Sequence, residues 1–159
     1  MWHAIAWLLS RSAIRRALLR WSFRRPYSDI MKGASVYMRR FWVFNPYPID
    51  PQGRDSRVPS ARVHHIVRPD DDRHLHDHPW DARTIILSGW YDEMLADGSV
   101  VRREKGYTGR IDFGQYHSIV AVSPGGVWTL FITYRYRGTW GFLVDGVKVK
   151  WREYLKLDR

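Results

Sequence analysis

Hydrophobic and polar positions change their period near residue 36. Ahead of it, in SAIRRALLRWSFRR (12–25), Ile14, Leu18 and Trp21 recur at spacings of four and three. That places them on one stripe of a helix, with Arg15, Arg16, Arg20 and Arg24 mostly elsewhere. Ser12 is a candidate N-cap and Pro26 closes the segment. Beyond residue 36 the pattern becomes short β-prone runs: VYMRRFWVF, ARVHHIV, ARTIILSGWYDEML, SVVRRE, YTGRIDF, HSIVAV, VWTLFITYRY, WGFLV and VKVKW. The chain thus reads as a helical segment over 1–35 and a β domain over 36–159.

Turn chemistry supports the division into strands. Asp97-Gly98 and Asp145-Gly146 are hairpin dipeptides, and Pro124-Gly125-Gly126 is a further break. Many short strands at close spacing imply an all-β sandwich or small barrel. The Pro-rich stretch 45–60 reads as a loop, either a lid or a plain connection, and the last residues, 152–159, as a short helical turn. No internal repeat or low-complexity tract stands out.

Charge adds one feature. The formal net charge is +10, and residues 1–40 hold nine Lys or Arg against one acid, Asp29. The helix with Arg15, Arg16, Arg20 and Arg24 therefore has two readings. It is docked on the β domain with a solvated basic face, or it makes weak contacts with a polyanion or an anionic membrane surface. On the second reading, residues 1–25 would be dispensable for folding. The run AIAWLL is too short for a signal-peptide core and its arginines follow it. No stretch reaches the roughly 18–20 apolar residues of a membrane span. With no cysteine in the chain, thiolate catalysis and zinc ribbons are excluded, and a cytoplasmic location is the expectation.

Absent sulfur, any metal must be held by nitrogen and oxygen, and the histidines are unevenly placed for it. His74, His76 and His78 alternate in RHLHDHPWD; His3, His64, His65 and His117 lie elsewhere. On a strand, alternate side chains share a face. His74, His76 and His78 would then point together, with Trp80, Ala82, Thr84, Ile86 and Ser88 continuing that face. His64 and His65 face opposite ways, so at most one can join. A substrate platform from Trp80, Tyr116 or Trp128 is the sharper alternative to aromatics that only fill the barrel. The run Asp70-Asp71-Asp72 reads as a solvated loop.

The stretch from Arg73 to Ala121 resembles the two-motif signature of the cupin superfamily. His76-Asp77-His78 is followed by three residues, Ala82, six residues and Gly89; Gly106 is followed by five residues, Asp112-Phe113-Gly114, two residues and His117. Ala82 stands where the family has Glu, and Asp112 where it has Pro. The chain also resembles uncharacterised cupin-like proteins of phages and prophages, through His76 to Trp80, Tyr116-His117, Trp140-Gly141-Phe142 and Trp151-Arg152-Glu153.

The resemblance implies a cupin-type jelly-roll barrel with an N-terminal helical segment, and a homodimer. It also implies a divalent metal on His76, His78 and His117, with His74 at the rim. Several three-histidine cupins are dioxygenases. Fe(II) is therefore the first expectation, with Zn, Ni or Mn as alternatives, and the substrate an unknown small molecule. Two other readings stay open. One is a metal-free acid/base cupin of the epimerase or isomerase kind. The other is a non-catalytic phage accessory or host-modulating protein, placed in the host cytoplasm.

Overall fold

A computed structural model describes residues 1–47 and 58–156. Most of the Pro-rich stretch 45–60 lies outside the described residues. The chain opens with two helices, α1 (Trp2–Ser10) and α2 (Ser12–Ser22), separated by the extended backbone of Arg11. The sequence reading placed the apolar run of α1 inside the helical segment 1–35 but gave it no helix bounds of its own. Its residues are apolar almost all round, so the period is faint, and it is packing on the sheet that defines it.

The predicted stripe on α2 is also rotated. Leu18 and Leu19 pack inward and Ser22 is fully buried, whereas Trp21 is 45% exposed. Ser12 is the first helical residue and makes no capping bond. The turn at Arg11 sets the roll of α2 so that Arg15 Nη1 donates to the carbonyls of Ser10 (3.3 Å) and Leu87 (3.4 Å). Arg15 thus ties the helices to the sheet, while Arg16, Arg20 and Arg24 stay exposed.

The strands are β1 (Tyr27–Lys32), β2 (Ser35–Phe44), β3 (Ser60–Ile66), β4 (Trp80–Ser88), β5 (Trp90–Leu95), β6 (Val100–Glu104), β7 (Thr108–Ile111), β8 (His117–Val122), β9 (Val127–Tyr136), β10 (Gly141–Val144) and β11 (Val147–Lys150). A helical turn, α3 (Trp151–Tyr154), follows. The sheet therefore begins at Tyr27, inside the stretch assigned to the helical segment. All pairings are antiparallel, in the orders β1-β2-β3-β9-β4-β7, β6-β5-β8 and β10-β11. The Asp97-Gly98 and Asp145-Gly146 turns join β5 to β6 and β10 to β11, as their chemistry predicts.

Alternation along the large sheet separates two cores. Val63, Ile85, Leu87 and Leu130 point outward and meet Ala6, Leu9, Leu18 and Leu19 of the helices. Tyr37, Ile66, Ile86 and Val127 point inward and meet Tyr91 and Ile119 of the small sheet. Gly89, the glycine between β4 and β5, has φ +78°, and a Cβ there would lie 2.5 Å from Ser123 Oγ. The reversal needs a residue with no side chain. Among the described residues no helix is long and apolar enough to cross a membrane.

Because α1 and α2 cover the outer core, residues 1–25 are not expected to be dispensable. Removing them uncovers Val63, Leu87 and Leu130, and the shortened chain should aggregate on size-exclusion chromatography. Ala6 is fully buried, so Ala6→Glu should destabilise by about 3 kcal/mol or more. Arg16→Glu, on the exposed face, should stay within about 0.5 kcal/mol in urea unfolding.

Candidate metal centre and its cavity

The segment that carries the histidine pair is not a regular strand. His76 forms isolated bridges with His117 and Phe142. The His76 amide donates to the His117 carbonyl, and the His117 amide donates back to the His76 carbonyl, each at 2.9 Å. The chain stays extended, so the expected alternation survives without a strand. His76 and His78 face the cavity; Asp77 between them is fully buried on the other side. Its carboxylate accepts from the Gly141 amide (2.7 Å) and from Lys148 Nζ. That anchoring of the intervening residue holds both imidazoles in place.

The rings of His76, His78 and His117 converge. One nitrogen from each lies within 4.8 Å of the others, and His78 Nε2 stands 2.9 Å from His117 Nε2. Ring centroids are 5.1–5.3 Å apart. Behind His117, its Nδ1 donates to Glu93 Oε1 at 2.6 Å, and Arg103 Nε donates to Glu93 Oε2 at 2.8 Å. That bond fixes the tautomer and leaves the Nε2 lone pair free. Asp70 Oδ2 lies 3.9 Å from His76 Nδ1, a buried atom with no hydrogen-bond partner.

Burial sets the protonation of these groups. Desolvation lowers His76 to about 4, against the opposing pull of Asp70. Desolvation, then the neighbouring imidazoles His117 and His76, hold His78 well below the ordinary range. Desolvation and the Arg62 charge do the same to His64. The Glu93 carboxyl is lowered despite its burial, through its bonds to His117 and Arg103. At neutral pH His76, His78 and His64 therefore present uncharged imidazoles.

The triad opens into a cavity of about 710 Å3 between the two sheets, whose walls include Tyr37, Met38, Trp80, Thr84, Phe131 and Trp140. Several sequence expectations need correction. Trp128 lies on the outer face of β9, stacked on His65 at 4.0 Å and against Phe23 and Phe41. The parity of β9 puts Val127, Thr129 and Phe131 inward instead. Tyr116, half-buried, does not line the cavity, and neither does His74, whose Nδ1 pairs with the Tyr154 hydroxyl at 2.9 Å. Ala82 is fully buried and packs with Ile111 and Phe131, so no space opens beside it.

The acidic run is not a solvated loop throughout. Asp71 is 54% exposed, but Asp70 is buried and accepts from the Ile119 amide (2.7 Å) and the Ser118 hydroxyl (3.4 Å). Lys32 joins all three aspartates. Sequence reasoning missed Glu93, Arg40 and Arg62, and left His64 undecided. Glu93 stands in a run where its alternation with Tyr91 marks it as inward-facing. For Arg40 and Arg62 an inward parity was the one available signal.

The residues fit a metal ion. Ligands on one octahedral ion at about 2.1 Å stand about 3.0 Å apart at adjacent positions, close to the His78–His117 separation. Three imidazole nitrogens suit Fe, Zn, Ni or Mn. They leave the ion its full charge and several open positions.

No protein-family model and no curated protein matches this sequence. Solved structures do. The polyketide cyclase RemF from Streptomyces resistomycificus superposes with a TM-score of 0.58 at 16% identity, over 86% of this chain and 91% of that one. Rru_A2000 from Rhodospirillum rubrum, described as a cupin-2 domain, gives 0.54 at 13% identity, over 76% of each chain. Fe(II) HppE gives 0.53 at 11% identity, over 71% of this chain and 57% of that one. At such identities the likeness shows the fold alone: a cupin-type jelly-roll barrel, here preceded by two helices.

Proposed function

We propose that the protein binds one divalent metal ion through His76, His78 and His117 and holds a small organic substrate beside it. Fe(II) is the first choice, with an oxygenase-like activity, and Zn, Ni or Mn as alternatives. The observation that carries this reading is the convergence of three imidazole nitrogens within 4.8 Å. The structural likeness to Fe(II) HppE supports it at the level of fold. Bound there, such an ion would supply Lewis acidity and, as iron, one-electron chemistry with dioxygen. The chain's own contributions are separate. Glu93 and Arg103 hold the His117 ring and its proton at Nδ1. Asp77 holds the backbone between the other two ligands. The aromatic walls exclude water and give the substrate an apolar bed.

A second reading rests on the 2.9 Å contact between His78 Nε2 and His117 Nε2. Two imidazoles at hydrogen-bond distance share one proton, which is the arrangement of an acid/base pair. Metal content separates the two readings.

Elemental analysis of purified protein should find one divalent ion per chain. His76→Ala, His78→Ala and His117→Ala should each abolish it, and His3→Ala should not. Full occupancy in His117→Ala would place the third ligand elsewhere. Glu93→Gln should fold and weaken metal affinity by about 10–100-fold, since it acts on orientation and basicity.

In chelator-treated protein, stability should fall with pH below the ordinary histidine value. His64, His76 and His78 are all lowered when folded. The unfolded chain therefore takes up protons there that the folded one refuses. Between about 6.5 and the folded value of His76, about 4, each step down in pH favours unfolding. Thermal midpoints should drop steadily across that window. A flat profile would mean the three rings are solvated.

A further inference from the structure

The cavity has a second polar region, on the wall opposite the small sheet. Arg40 of β2 and His64 of β3 are cross-strand partners, and Arg62 lies two residues along β3 on the same face. Partners of this kind have Cβ atoms about 5 Å apart. All three line the cavity and are buried; Arg40 is 9% exposed. Arg62 Nε donates to His64 Nε2 at 2.9 Å. The imidazole must then carry its proton on Nδ1, where no hydrogen bond to the described residues is made.

Arg40 is short of acceptors among the described residues. Its only hydrogen bond among them is from Nη2 to Ser28 Oγ at 3.3 Å, and its Nε is buried without a partner there. No carboxylate pairs with it among the described residues. Trp80 Nε1, on a ring whose centroid lies 5.0 Å from Arg62 Cζ, is another buried donor without an acceptor. Two guanidinium groups on one wall also repel. Burial and the Arg62 charge push the Arg40 pKa down to about 10. A buried, unpaired cation of this kind destabilises a folded chain. The chemistry of Arg40 on this wall suits anionic oxygens.

This wall is close to the triad. Phe131 stacks on His64 at 5.1 Å and also meets His78 at 5.6 Å. The space between holds Trp80, Thr129 and Phe131. A molecule of a few carbons reaches from one region to the other.

We propose that the cavity binds a small organic acid, its oxyanionic head on Arg40 and the Nδ1–H of His64 and its apolar body against Phe131 and Trp80, directed at His76, His78 and His117. This assigns a substrate class to the site and rests on the reading above for the metal, but the anion wall stands without it. Arg40 offers a planar fork that matches a carboxylate.

The test is calorimetric titration of phenylacetate and of phenylacetamide, its neutral isostere, into metal-loaded and chelator-treated protein and into Arg40→Met. Phenylacetate should bind at least about tenfold more tightly than the amide, with or without metal, since a buried charged pair is worth about that much. Arg40→Met should bring the two within about twofold, leave the amide affinity unchanged and keep or raise the melting temperature. Equal binding of acid and amide to the chelator-treated wild type would overturn the proposal. So would an acid preference that survives Arg40→Met, because the carboxylate would then sit on the metal or elsewhere. Loss of fold in Arg40→Met would overturn it too, by making Arg40 a structural residue. An acid preference in protein that never takes up a metal would refute only the metal reading.

Discussion

Two backbone hydrogen bonds between His76 and His117 hold the site together. They join a segment outside any regular strand to the first residue of β8. With them the two histidine-bearing motifs, 39 residues apart, become one surface. Everything else about the triad follows from that bridge. His76 and His78 share a side because the backbone is extended through it. His117 comes to lie over Glu93 because β8 pairs with β5 in a register that sets Ile119 against Glu93 and His117 against Leu95. The carboxylate then reaches Nδ1. A slip of one residue would turn Glu93 outward and leave His117 without its orienting partner.

What could be read from the sequence divides by range. The hairpin dipeptides, the helix ahead of Pro26 and the spacing from His76 to Gly89 are local, and the structure contains them. The histidine triad was legible through two short motifs, each within one or two elements. The rest depended on how elements pack. Trp128 and Phe131 are three residues apart on β9, and nothing between them tells which faces the barrel until the helices have claimed one side. The stripe on α2 was displaced for a related reason: Arg15, a charged residue, occupies the docking face because two backbone carbonyls accept from it. Arg40 and His64 meet only through the β2–β3 register. Asp70 is an ordinary acidic loop residue until the Ile119 amide comes within reach.

Electrostatics in the cavity is arranged in two halves. Near the triad, carboxylates stand behind imidazoles, and burial keeps His76 and His78 uncharged. On the opposite wall cations face inward, with His64 fixed as a donor by Arg62. The two halves feel each other across this short distance, and the Arg62 charge is among the causes that hold His78 low.

The large sheet has a consequence for how such a protein changes over time. Along β3 and β9, odd and even positions answer to different demands. Val63, Leu130 and Ile132 face the helices; Arg62, His64, Thr129 and Phe131 face the cavity. Neighbouring codons are therefore under nearly independent selection, one set for cohesion and one for chemistry. A lineage could exchange every inward residue of these strands for a new ligand while its scaffold sequence stood still. Divergence of that kind would change the cavity's chemistry and leave the barrel recognisable.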